Sequence, residues 1–173
     1  LCRGSPPGLP NPRRFGNETP RRRATQEYCV VGCERLAWAI LFAIVLFGLS
    51  GLVHVRAMSF VMTATKRTPF TQSSRLLFAL YTLATAHIGE AGLYALGFSF
   101  GEFLGIGGFA QDNVDSFMDV FYFSVVNYSS LGLGDIYPTG HLRFLAGIEA
   151  LNGFLLISCS ASTIFLVVTR KMD

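Results

Sequence analysis

Apolar residues fill this chain in three long stretches separated by short polar punctuation. The first, LAWAILFAIVLFGLSGLVHV, runs from Leu36 to Val55 without a charged residue. At about 1.5 Å per residue such a helix is about 30 Å long, the thickness of a bilayer's hydrocarbon core. Arg56 closes the run, and the N-terminal hydrophobic helix is expected over 36–64. The second stretch, Leu76 to Leu104, is interrupted by His87 and Glu90; the third, Leu142 to Thr169, is stopped by Arg170 and Lys171. Between them lies a shorter apolar piece, with a helix expected over 115–129, too short to cross a bilayer comfortably. It leads into NYSSLGLGDIYP, Asn127 to Pro138. Glycine alternating with leucine makes poor helix, and too few β-branched residues are present for a good strand. Irregular backbone at membrane depth is tolerated only where protein buries it or where it lines an aqueous path. The pattern therefore predicts an all-α membrane protein containing a re-entrant helix and loop.

Composition agrees with that reading. Only 14% of residues are charged, against about 25% in an ordinary soluble domain. The net charge of +3 is gathered at a few points rather than interleaved along a face, which argues against a nucleic-acid partner. The four cysteines, Cys2, Cys29, Cys33 and Cys159, lack the paired spacing of a zinc site, and no cofactor is expected. Residues 1–35 hold most of the prolines and Arg13, Arg14, Arg21, Arg22 and Arg23, and read as a disordered basic tail. The start at Leu1 suggests a fragment or a processed product.

Charge also suggests sidedness. The connection from the second to the third stretch carries Glu102, Asp112, Asp115, Asp119 and Asp135, whereas the connection after the first is basic. The positive-inside rule puts the acidic connection outside. A spanning first helix then leaves the arginine-rich tail outside, against the rule. An interfacial first helix, or a start at Met58 or Met62, would relieve the conflict; the spanning helix is the preferred reading.

Taken together, the second stretch, the short helix, SSLGLGD and the third stretch resemble the pore module of potassium channels of the two-transmembrane-helix kind. The resemblance covers roughly 76–171: outer helix 76–104, pore helix 115–129, filter 130–135 and inner helix 142–169. Ser130, Leu131, Gly132, Leu133, Gly134 and Asp135 fall in order on a filter usually written Thr-Val-Gly-Tyr-Gly-Asp. DIYP after it, Arg143 opening the inner helix, and Gly153 at the position of a hinge glycine agree with the pattern. Similar Gly-Leu-Gly filters occur in the second pore of two-pore-domain potassium channels. The resemblance implies a homotetramer in a bilayer, with potassium ions as the permeant species, held at the filter and at no other metal site. A bacterial inner membrane is the expected location. Neither a small-molecule substrate nor enzymatic chemistry is expected.

Elementary chemistry explains why such a filter needs these residues. A potassium ion leaves water only if oxygens replace its hydration shell, which consecutive carbonyls aimed at one axis can do. Aiming them one way requires backbone of alternating hand, cheap at Gly132 and Gly134 because glycine tolerates positive φ. Ser130 keeps a hydroxyl without threonine's methyl, and Leu133 lacks the hydroxyl of a tyrosine, so a weakly selective cation pore is the near alternative. Asp135 and Glu149 are candidate filter supports. Ile157, Ala161 and Phe165, spaced by four, are candidates to line the pore.

His87 and Glu90, three apart on one helical face, form a candidate buried polar pair. Ionisable groups at this depth are functional candidates by default, so a membrane transporter or enzyme built on this pair is the alternative from another class. An accessory subunit without flux is a third. Gly105–Gly108 lacks the spacing of a nucleotide-binding loop and reads as a flexible turret. No helix carries arginine at every third position, so no voltage sensor of the usual kind is expected.

Overall fold

The computed structural model describes residues 19–67, 71–111, 114 and 116–169, with side chains from Leu36 onward. Four helices follow one another: α1 (Thr19–Arg67), α2 (Gln72–Phe103), α3 (Phe117–Tyr128) and α4 (Leu142–Thr169). Among the described residues the only extended pairing is an isolated bridge between Phe109 and Pro138. Three segments are long and apolar enough to cross a membrane, Leu36–Arg67, Gln72–Phe103 and Leu142–Thr169. The chain is an all-helical integral membrane protein.

The expectation of a disordered tail over 1–35 needs correction where the structure describes it. Helix α1 begins at Thr19, well before the apolar run. Pro20 occupies the first turn, where a missing N–H matters least, and Arg, Ala, Gln and Glu are good helix formers. Hydropathy locates the part of a helix that needs lipid; it does not locate the polar turns that continue it. Residues 1–18 lie outside the described set. With 49 residues, α1 is about 74 Å long, more than twice the hydrocarbon thickness.

One stripe of α1 faces the protein: Ala39, Ala43, Leu46, Ser50, His54, Val61 and Thr65 are buried, at steps of three, four and seven. Small residues on the stripe permit close approach, the usual basis of helix association in lipid. Trp38, Leu41, Ile44, Val45, Leu52 and Val55 point away and are exposed, as a lipid-facing surface requires. The stripe lies against both α2 and α4. Leu46 packs on Gly97, where an added Cβ would crowd its methyl. His54 meets Glu90, and Val61 clusters with Ala79, Leu83 and Val167. Helix α1 is therefore antiparallel to α2 and parallel to α4, with its N-terminal side beside the end of α2 that carries the α2–α4 connection.

Helix α3 starts where it does because Ser116 and Asp119 form a reciprocal capping box: the Ser116 hydroxyl accepts from the Asp119 N–H, and the Asp119 carboxylate accepts from the Ser116 N–H at 3.0 Å. Its 12 residues span about 18 Å, too short to cross a bilayer. The Gly105–Gly108 segment, expected to be a flexible turret, is pinned instead. Thr139 N–H donates to the Gly108 carbonyl at 2.7 Å, His141 N–H to Ile106 at 3.2 Å, and Ala110 N–H to Tyr137 at 3.1 Å. A Cβ on Gly107 would strike the Thr139 carbonyl, so glycine here serves close backbone approach.

Candidate functional site

Helix α3 ends at Tyr128, and its final carbonyls are used at once. Ser130 N–H donates to Asn127 at 2.9 Å and Leu131 N–H to Val126 at 3.0 Å. From there the backbone alternates in hand: φ is 57° at Ser130, 59° at Gly132 and 77° at Gly134, with no positive φ at Leu131 or Leu133. An added Cβ at Gly132 or Gly134 would meet nothing within 4 Å. Conformation, not space, is what calls for glycine at these two positions. Ser130 holds its left-handed φ without being glycine, in a region that β-branched residues avoid more strongly. Its hydroxyl donates to the Ala150 carbonyl at 3.4 Å. Leu131 and Leu133 are 64% and 57% exposed, so one chain does not cover the loop's own side chains.

Two acidic residues brace this region by different routes. Asp135 accepts a hydrogen bond from the Tyr122 hydroxyl at 2.8 Å and from the Ile136 N–H at 3.0 Å, which ties the end of the glycine loop to α3. That hydrogen bond raises the Tyr122 phenol above the ordinary tyrosine range. A raised phenol keeps its proton, so the contact is present below the ordinary tyrosine pKa and is lost only as pH rises through the raised one. Tyr122→Phe is expected to leave the fold intact and to free the end of the loop from α3, read as faster hydrogen exchange at the Ile136 N–H.

Glu149, fully buried on α4, acts on α3 rather than on the loop. Its carboxyl contacts the Ser124 hydroxyl, and it accepts from Asn127 Nδ2 at 2.5 Å. Ser124 Oγ also reaches the Ala91 carbonyl at 2.6 Å, and Asn127 Nδ2 donates to the Ala146 carbonyl at 2.8 Å. Helix α3 is thus held to α2 on one side and α4 on the other. Gly153 is buried where α4 meets the end of α3, and a Cβ there would overlap the Tyr128 carbonyl. The contact accounts for glycine at 153 by closeness, and α4 runs through it unbroken. Ile157, Ala161 and Phe165 share an exposed face of α4.

The polar pair His87–Glu90 proves to be part of something larger. Glu90 Oε2 lies 3.3 Å from His87 Nδ1, and Glu90 Oε1 lies 3.0 Å from Nδ1 of His54 on α1. The Tyr128 hydroxyl donates to Glu90 and sits 2.9 Å from His87 Nδ1. Ser160 Oγ on α4 closes the cluster, 2.9 Å from His87 Nε2 and 3.3 Å from His54 Nε2. Every helix contributes, and His54 and Glu90 are fully buried. Sequence reasoning missed His54 because it is 36 positions from Glu90. The available signal was that a histidine inside an apolar span needs a polar partner. His54→Ala would leave the Glu90 carboxylate short of a partner and is expected to destabilise the chain by about 3–5 kcal/mol, read as a lowered thermal midpoint in detergent.

Comparison with known proteins places this geometry. A protein-family model described as an ion channel matches residues 91–170, from the middle of α2 through α3 and the glycine loop to the end of α4. Neither the curated proteins nor the solved structures gave a match to the chain. Helix α1 lies outside the matched residues, and over 91–170 the chain is similar to the ion channel family.

Proposed function

We propose that four copies of this chain surround a passive potassium pathway lined by the carbonyls of Ser130, Leu131, Gly132 and Leu133. The observation that carries the proposal is the alternation of hand at Ser130, Gly132 and Gly134 directly after a short, braced helix. Alternating hand turns successive carbonyls to the same side, the arrangement that can replace an ion's water. Helix α3 directs its C-terminal partial negative charge toward that side, which favours cations. One chain offers one such strand, so a ring requires several copies related by a closed symmetry. The apolar residues left exposed around the loop and on α4, among them Leu131, Leu133, Phe154, Ile157 and Phe165, are the surface such neighbours would cover. Potassium is the permeant species in this reading, no cofactor takes part, and the compact layout suits a bacterial inner membrane.

Reconstitution into liposomes tests it. Potassium gradients should drive flux that barium blocks, while equal sodium gradients drive far less. Similar potassium and sodium fluxes would favour the weakly selective pore, for which the hydroxyl-free Leu133 is the supporting observation. No flux from well-folded protein would reject a pore altogether and leave the accessory-subunit reading.

A further inference from the structure

We propose that His54, His87 and Glu90 form a binding site for a zinc-class divalent cation that ties α1 to α2 beside the end of α3. One nitrogen of each ring and a carboxylate oxygen lie within 4.8 Å of one another. Two histidines and a carboxylate are a common first-row metal set. The Nδ1 atoms of both rings turn toward the same carboxylate, at 3.0 Å from Oε1 and 3.3 Å from Oε2. Ligand atoms at about 2.0–2.1 Å from a tetrahedral zinc ion stand about 3.3 Å apart, so small adjustments admit the ion. The Nε2 atoms of both rings turn the other way, toward the single Ser160 oxygen. A metal-bound histidine donates its remaining N–H to an outer partner, and one hydroxyl oxygen has the two lone pairs needed to accept from both rings.

Proton counting points the same way. Five contacts close the cluster: His54 to Glu90, Tyr128 to Glu90, His87 to Tyr128, and each histidine to Ser160. Two neutral imidazoles, one phenol and one serine hydroxyl bring one proton each, four in all. The five contacts need one positive centre more, which an added proton or a metal ion supplies; a divalent cation held by both Nδ1 atoms leaves both Nε2–H groups to donate to Ser160. The fully buried Glu90 carboxylate also gains an opposite charge within bonding distance, which a dry interior strongly favours. The Tyr128 hydroxyl, between Glu90 and His87, is placed to complete a fourth position.

The test uses the full chain, purified in mild detergent, stripped with a chelator and titrated with cobalt(II). The expected result is one cobalt per chain, with the intense visible bands of a tetrahedral nitrogen–oxygen site, displaced by zinc. Ser160→Ala, which leaves every ligand in place, should weaken binding about 10- to 100-fold, and His54→Ala, His87→Ala or Glu90→Gln by more than that. Folded wild-type chain that binds no cobalt or zinc would overturn the site without recourse to any variant, and would assign the fifth positive centre to a proton. Undiminished binding by His54→Ala would equally overturn it, by placing the metal elsewhere. Neither outcome depends on whether the chain conducts.

Discussion

Replacing Gly132 with alanine should abolish selective flux while leaving the helices and their assembly intact. A side chain at left-handed φ costs roughly 1–2 kcal/mol per residue, and a pore of four copies would carry that strain four times over, roughly 4–8 kcal/mol in all. The loop escapes the strain by giving up the positive φ of 59° at Gly132, which swings the adjoining peptide and takes a carbonyl off the common side. Because a Cβ at Gly132 meets nothing within 4 Å, packing gives no reason for the fold to fail. The expected readout is potassium flux lowered more than about 100-fold, the scale of losing a few kcal/mol of ion stabilisation, with an unchanged elution volume and helical circular dichroism. D-alanine at 132, installed by semisynthesis, should restore flux, since its preferred φ is positive. Wild-type flux from Gly132→Ala would remove the central support for a carbonyl-lined path.

Gly153→Ala should fail differently. Its methyl would fall on the Tyr128 carbonyl, a backbone atom at the end of α3 that cannot simply rotate away. Either α4 withdraws from α3 or the last turn of α3 shifts, and both disturb the braces at Glu149 and Asn127. Overpacking of this kind typically costs 1–3 kcal/mol. Flux should fall together with the thermal midpoint and with assembly, whereas a glycine needed solely for bending would alter open probability at unchanged stability. Gly48→Ala is the control: it sits mid-α1 with nothing near its Cβ, and should stabilise by about 0.5–1 kcal/mol.

How legible was this molecule in its sequence? The three spans were readable because bilayer thickness sets the length of an apolar run, and Leu36, Gln72 and Leu142 follow polar or irregular residues. The start of α1 at Thr19 was not, because its added turns are polar and obey propensity rather than hydropathy. The left-handed positions at 132 and 134 were announced by glycine, while Ser130 gave no such signal. His87 and Glu90 advertised each other by spacing along one helix. His54 and Ser160 could be joined to them only by tertiary packing of α1 and α4, which no local pattern encodes. The pairing of Gly105–Gly108 with 138–141 was equally hidden, since glycine backbone contacts leave no side-chain rhythm to read.

The two ends of α3 are secured by unlike means. At Ser116 the helix closes on its own residues, whereas Ser124, Asn127 and Tyr128 are fastened to α2 and α4. Polar side chains thus clamp its inner end to both long helices, while its outer cap is built from its own residues. A sideways creep of either long helix, from lipid thinning or a change of lateral pressure, would therefore be handed to Ser130, two residues past the clamped end.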